Sequence, residues 1–364
     1  RHLSLPHLWE RRMGVVRGLA AFIAGLAAVV ATVDTLKLVR DHLVYNRKDD
    51  LRKYIIRIIL MVPAYSVSSM GGIVYKDSWI YFDTVRECYE AFVIYSFFQF
   101  LVQYLGGNEE LPQKLSKALK QQQHVIPFCF LTPWRMGNEF YRKIKFGTLQ
   151  YVIFKPILAW LSFALYQRGM YGSGEFRLDK GYLWVTLLTN ASQIWAMYCL
   201  ALFYMACKDD LSPIRPIGKF MVVKAVVFFT WWQSVVLAVL VRFEWIHRSG
   251  EFSVEDVVNG TQNLLICLEM LLAAVAHRHT FPVKDFRQLF SDPNSTKSTV
   301  RSIFDAMNVT DVFVNDVWEA RKTFRTDERW STNFNDQISG SRMSDIKLGP
   351  IKHNTEHYNP QHRS

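Results

Sequence analysis

The stretch YLWVTLLTNASQIWAMYCLALFYMAC, residues 182–207, decides the fold class of this chain. It contains no Asp, Glu, Lys or Arg. A helix that rises about 1.5 Å per residue over this length is longer than the roughly 30 Å hydrocarbon core of a bilayer. A helix also satisfies its own backbone hydrogen bonds, which is a requirement for crossing lipid. The stretch therefore predicts a transmembrane helix.

Six more stretches have a similar length and apolar character, and half of the 364 residues are hydrophobic. These stretches are residues 13–36, 54–75, 82–105, 145–166, 218–246 and 257–276. We therefore predict an all-α, polytopic membrane protein with a seven-transmembrane-helix bundle. The predicted domains are an N-terminal stub at 1–12, the seven-span transmembrane domain at 13–281, a cytoplasmic amphipathic tail at 282–330 and a disordered tail at 331–364.

The positive charge of the chain, +11 net, is concentrated in particular loops. Lys and Arg are frequent in residues 37–53, in residues 111–143 and after residue 278, whereas the loops between these regions carry few. Loops rich in Lys and Arg stay in the cytosol. With seven spans this places the N-terminus outside or in a lumen and the C-terminus in the cytosol. The basic excess thus indicates membrane orientation and no nucleic-acid binding.

Catalytic and metal-binding patterns are missing from the sequence. The five cysteines lie in or beside the spans, without the close pairing of a disulfide framework or a zinc site. We therefore predict no enzyme activity, no metal and no cofactor.

Charged residues lie deep inside several predicted spans. At this depth a charge costs at least about 2.5–3.5 kcal/mol and persists only where it faces protein or water. From the helical rise, Lys155 lies roughly 15 Å from the cytoplasmic side and Glu269 roughly 18 Å from the opposite side, so both are near the midplane. The substrate-path candidates at this polar layer are Glu90, Lys155, Asn190, Gln193, Gln233 and Glu269.

Two further features accompany this layer. Asp83, Arg86 and Glu87 share one helical face with Glu90, because they are spaced three and four residues apart, and they form a ladder leading in from the lumen. Proline frees a backbone carbonyl inside a helix. Pro63 and Pro156 therefore predict helix breaks in the second and fourth spans, a feature typical of transporters.

Two interpretations of the deep charges remain open. They either fix the register of packed helices or line a substrate path. Arg57 and Lys224 lie nearer the cytoplasmic ends of their spans, and we interpret them as anchors whose long side chains reach the headgroups.

Several motifs are similar to those of one known family, the organic solute transporter alpha and transmembrane protein 184 group. The motifs are RIILMVPAYS at 57–66, DTVRECYEAFVIY at 83–95, LSPIRP at 211–216 and CLEM at 267–270. The resemblance covers about residues 19–281 and looks closer to the transmembrane protein 184 branch. It implies transport of a steroid-like or lipid-like organic anion. The alternative that it implies is an endosomal or vacuolar scaffold or trafficking adaptor, whose tail recruits cytosolic partners; a plasma-membrane location is also open.

The resemblance directs attention to partner-binding residues in the tail. Phe286 and Leu289 form an aromatic-x-x-aliphatic pattern, which implies an autophagy ubiquitin-like modifier as partner. Phe304, Phe313 and Trp318 lie in an alternative docking helix. Cys129 is the palmitoylation candidate, by comparison with the transporter branch. The remaining expected partners are membrane lipids and a second subunit in a homo- or hetero-oligomer.

Overall fold

The structure is a computed structural model, and it describes residues 5–46, 48–75, 78–118, 121–126, 128–172, 177–246, 253–289, 308 and 310–318. Within these residues six helices are long and apolar enough to cross a membrane. They lie at Gly18–Tyr45, Asp49–Val74, Asn138–Gln167, Gly181–Ala206, Pro216–Arg242 and Asp256–Phe286. The predicted helical, polytopic membrane fold is therefore confirmed.

The first compact unit of the chain is Arg1–Val309 and the second is Thr310–Ser364. The helices of the first unit are α1 (Leu5–Tyr45), α2 (Asp49–Ile59), α3 (Met61–Val74), α4 (Trp79–Tyr104), α5 (Gly107–Ala118), α6 (Asn138–Gln167), α7 (Gly181–Ala206), α8 (Lys208–Leu211), α9 (Pro216–Arg242), α10 (Val254–Thr280) and α11 (Val283–Leu289). A 3-10 turn at Ser212–Ile214 precedes α9. The described part of the second unit is helical and includes a π-helix at Asp311–Asp316.

Helix α4 lies at the centre of the first unit. It packs against α2, α3 and α6, and every side chain from residue 91 to residue 102 is buried. The four charged residues of α4 lie before this buried stretch, in the first half of the helix, where Arg86 alone of the four is buried. On the other sides of the unit, α10 packs on α1, α3 and α9, and α6 packs on α7.

Pro63 and Pro156 have different effects on their helices. The second predicted span is divided at Leu60, and α3 begins at Met61, two residues before Pro63. Proline has no N–H for the carbonyl four residues earlier, so the interruption falls where that bond would close. Pro156 lies inside α6, which is continuous from Asn138 to Gln167. Its interpretation as a helix break is wrong, because the neighbouring turns and the packing against α4 and α7 hold the helix together without that one bond.

Small residues allow close contacts between helices. A Cβ placed on Gly147 of α6 would lie 2.3 Å from the sulfur of Cys199 of α7. A Cβ on Gly72 of α3 would lie 2.7 Å from the amide nitrogen of Asn263 of α10. Glycine thus lets both helix pairs approach at the level of their polar residues.

A short antiparallel hairpin covers the ends of α6 and α7. Gln121–Gln122 pairs with Trp134–Arg135. The loop between them is held by a hydrogen bond of 2.7 Å between His124 Nδ1 and the Tyr198 hydroxyl. Cys129 lies in this loop with an exposed, free thiol.

Candidate functional site

An ion pair joins α4 and α6 inside the bundle. The ammonium of Lys155 lies 3.1 Å from Glu87 Oε2. Only 10% of the Lys155 side chain is exposed, whereas 50% of the Glu87 side chain is exposed. The cation is therefore fixed inside the protein, and its counter-ion lies at the edge of the protein interior.

Glu90 lies one turn further along α4 and has a different environment. Gln193 Nε2 of α7 donates a hydrogen bond to Glu90 Oε1 at 2.9 Å. The Tyr65 hydroxyl of α3 donates to Glu90 Oε2 at 3.5 Å. Lys155 and Lys224 act on Glu90 electrostatically without forming an ion pair with it among the described residues. Helices α3, α4, α6 and α7 thus meet at this carboxylate and its neighbour Glu87.

The predicted ladder continues from this cluster toward α10. Arg86 forms an ion pair with Asp83 at 3.0 Å and donates a hydrogen bond to Asn263 Oδ1 at 3.4 Å. Its guanidinium also lies 5.9 Å from the Tyr65 ring centre. Asp83 therefore braces Arg86 as expected from their spacing, while Glu87 turns away to Lys155.

The remaining path candidates lie apart from this cluster. Gln233 of α9 donates a hydrogen bond to Glu269 of α10, and Gln262 donates to Ser234 at 2.9 Å beside them. Asn190 is exposed and donates to Thr186 of its own helix at 2.8 Å. In the described part of the chain Asn190 does not join the Glu90 cluster, and its assignment to a substrate path stays a prediction.

Tyr65 and Asn263 are site residues that sequence reasoning missed. Tyr65 and Asn263 are uncharged, so depth in an apolar stretch did not mark them. Arg57 is only 1% exposed, and its Nη2 donates to the carbonyl of Asn308 at 2.6 Å. Its carbonyl accepts a hydrogen bond from the Tyr89 hydroxyl at 2.8 Å. The interpretation of Arg57 as a headgroup anchor is wrong, because its guanidinium packs inside the protein. The neighbouring aromatic residues of α2 and α4 were the available signal.

The tail candidate Phe286 is also buried. It is 0% exposed, and its ring lies 6.1 Å from that of Phe100 and 5.8 Å from that of His42. Next to it, Asp285 forms an ion pair with Lys219 at 3.7 Å. The prediction that Phe286 binds a partner from the surface is therefore wrong, because its ring packs inside the protein against Phe100 of α4.

The other tail candidates are only partly described. Trp318 is 53% exposed. Leu289 and Phe313 lie in described helices, but their side chains are outside the described residues, as is all of Phe304. In the described part of the chain no group of three or more His, Cys, Asp or Glu residues could hold a metal ion.

Long apolar helices around a buried cluster of charged and amide side chains define an integral, multi-pass membrane protein. The chain belongs to the organic solute transporter Ostalpha family, whose match covers residues 20–286. This match confirms the resemblance. Every residue of the polar cluster lies within the matched range.

Relatives in plants and in an amoeba have related sequences. The chain is 35% identical to the protein LAZ1 of Arabidopsis thaliana over 73% of its own length and 58% of that protein. It is 33% identical to LAZ1 homolog 1 of the same organism, over 77% of its length and 62% of that protein. It is 35% identical to a transmembrane protein 184 homolog of Dictyostelium discoideum, over 75% of its length and 53% of that protein. The chain thus spans little more than half the length of these relatives. No solved structure matches it.

Proposed function

We propose that this protein is a carrier for an organic anion with a steroid-like or lipid-like body. The observation that carries the proposal is the unequal exposure of the Lys155–Glu87 ion pair. A buried cation whose carboxylate partner is half exposed is the arrangement expected of an anion site that supplies its own counter-ion. In a pair that only fixed the helices, we would expect both partners to be buried.

The exchange of anions follows from this geometry. The anionic group of the solute takes the place of Glu87 on Lys155, and Glu87 turns to water. The charge of the cluster stays constant during the exchange, so no buried lysine is left without a partner. Glu90 stays in place, since Gln193 and Tyr65 hold it from two other helices.

The apolar residues next to the pair suit a solute with an apolar body. One helical turn from Glu90, Lys155 and Gln193 lies a core cluster formed by Ala91, Ile94, Tyr151 and Ala196. An amphipathic anion would place its charged group on Lys155, and its body would contact this cluster, whose members are 0–3% exposed, once the helices separate. Such a division between a few polar groups and an apolar wall is common in binding sites for small molecules.

Reconstituted vesicles containing a sulfated steroid or a bile-acid-like anion test this function. Lys155→Met should abolish flux, whereas Glu87→Gln should retain it, because the solute no longer competes with a carboxylate. Lys143→Met is the matched control, since Lys143 pairs with Glu139 at the start of the same helix. Equal loss of flux in Lys155→Met and Glu87→Gln would show that the pair only fixes the helices.

The seven-span topology belongs to the same proposal. Helix α4 has 26 residues, enough to cross a bilayer, although its charged ladder makes it less apolar than the six spans described above. With α4 as the third span, the N-terminus is luminal or outside and the C-terminus is cytosolic. Labelling of the exposed Cys129 by a membrane-impermeant maleimide tests this: it should require access from the cytosol, and labelling of intact cells would contradict it.

A second candidate function is a scaffold or trafficking adaptor in endosomal or vacuolar membranes. It is favoured by Val314 and Trp318, which are 56% and 53% exposed and lie four residues apart on one helix of the second unit. A cytosolic partner, such as an autophagy ubiquitin-like modifier, would bind this face. Trp318→Ala should abolish recruitment without changing anion flux, and unchanged recruitment would reject the adaptor function. The mass of the purified complex would show whether the protein works with a second subunit, as a carrier or as an adaptor.

A further inference from the structure

Glu269 differs from Glu87 and Glu90 in having no charged partner among the residues that the structure describes. Glu87 pairs with Lys155, and Glu90 lies in the field of two lysines. No charged side chain in the described part of the chain acts on Glu269. Its one described partner is the amide of Gln233.

Four basic side chains on α4, α9 and α10 are either distant from Glu269 along the bundle or already paired. Lys224 and Arg242 lie nine residues before and after Gln233 on α9, about 13 Å away along the axis. Arg278 of α10 pairs with Asp34 of α1. Arg86 pairs with Asp83 and bonds Asn263, six residues before Glu269. The described part of α3 contributes only the titratable hydroxyl of Tyr65, which bonds Glu90.

Two oxygen atoms in this pair are buried and have no hydrogen-bond partner among the described residues. They are Glu269 Oε2 and Gln233 Oε1. A buried acceptor without a donor costs free energy, and a buried carboxylate without a counter-ion costs more. Both oxygens are acceptors, so neither can donate a hydrogen bond to the other. While Gln233 Nε2 donates to Glu269 Oε1, rotation of the two side chains therefore cannot give both oxygens a donor.

We propose that Glu269 and Gln233 form a proton-binding site that joins α9 to α10. A proton on Glu269 Oε2 removes the uncompensated charge and becomes a donor, with Gln233 Oε1 as its acceptor. The acid and the amide then exchange two hydrogen bonds. Release of the proton restores the carboxylate, which draws in water and weakens the contact of α9 with α10. The site is separate from Lys155 and Glu87 and does not depend on the proposed anion transport.

Infrared spectroscopy of the purified full chain tests the site without any solute. The wild-type protein should show the carbonyl band of a protonated carboxylic acid, and the band should weaken as the pH is raised. Glu269→Gln should lose this band. Glu244→Gln, which changes an exposed carboxyl group just after α9, should keep it. A spectrum of Glu269→Gln that retains the whole band would overturn the proposal.

A second variant decides the question if Glu269→Gln does not fold. Gln233→Leu removes the acceptor of the proton, so the band should remain but shift to higher frequency. An unshifted band would show that the proton does not bridge the two residues. Loss of the band on adding sodium ions at constant pH would show that the site takes a metal cation instead, which also overturns the proposal.

Discussion

Lys155 and Glu87 pair across α6 and α4 at 3.1 Å, but the lysine is far more buried than the glutamate, 10% against 50% exposed. Removing one partner of a buried pair is costly because the other charge is left uncompensated. We therefore expect Glu87→Gln to destabilise the protein, but by less than the about 3–5 kcal/mol of a fully buried pair, because Glu87 is half exposed and Glu90 still acts on the lysine. Lys155→Met should cost less, because Glu87 can be hydrated. Thermal unfolding in detergent measures both changes, and a larger loss in Lys155→Met would contradict this order.

The same pair predicts a ligand effect on stability. An amphipathic anion should raise the unfolding temperature of Glu87→Gln more than that of the wild type, because it supplies the missing counter-ion and binds only the folded state. Lys155→Met should not respond. A neutral steroid of the same shape is the control. Equal shifts in all three proteins would indicate binding elsewhere.

Glu90 and Gln193 provide a test of the hydrogen bonds between α4 and α7. Gln193→Leu removes the donor that lies 2.9 Å from Glu90 and leaves a carboxylate oxygen without it. The expected loss is about 1–3 kcal/mol in the free energy of unfolding. Asn190→Leu on the same helix is the control, since the Asn190 side chain is exposed and, among the described residues, bonds Thr186 of its own helix; we expect no loss of stability. The prediction fails if the two variants behave alike.

Gly147 tests the close approach of α6 and α7. A Cβ at this position would lie 2.3 Å from the Cys199 sulfur and 3.2 Å from Trp195 Nε1, so Gly147→Ala should cost about 1–3 kcal/mol through overpacking. Gly260 in α10 has no atom within 4 Å of such a Cβ. Gly260→Ala should therefore stabilise its helix by about 0.5–1 kcal/mol. The unfolding temperature should therefore fall in Gly147→Ala and rise in Gly260→Ala, and thermal unfolding measures both changes.

Phe286 tests whether the segment after α10 belongs to the core. Because Phe286 is 0% exposed, Phe286→Ala should cost about 3–5 kcal/mol. Trp318→Ala removes a large side chain that is 53% exposed and should change stability much less. A stable Phe286→Ala variant that loses a cytosolic partner would show that Phe286 binds that partner and does not belong to the core.

Much of the polar site could be predicted from the sequence, and its errors have a common cause. Depth along a helix was sufficient to select Glu90, Lys155 and Gln193, which the structure brings together. The depth of a residue does not specify how its helix is rotated about its own axis. Asn190 and Gln193 are less than one turn apart on α7, yet the Asn190 side chain is exposed, whereas that of Gln193 reaches Glu90. Arg57 was misinterpreted for the same reason, because its long side chain turns inward instead of toward the headgroups.

The amino-acid sequence by itself determined that this chain is a helical, multi-pass membrane protein of the Ostalpha family with charges deep in its spans. Those properties depend on the length and composition of single stretches and on local motifs. The tertiary structure alone decided that Glu87, not Glu90, pairs with Lys155, that Glu269 has an amide as its partner, and that Phe286 closes the core. Each of these depends on which helices are neighbours and which faces they turn to one another. The packing of all the helices together decides which helices are neighbours and which faces meet. These contacts therefore cannot be read from any single stretch of sequence.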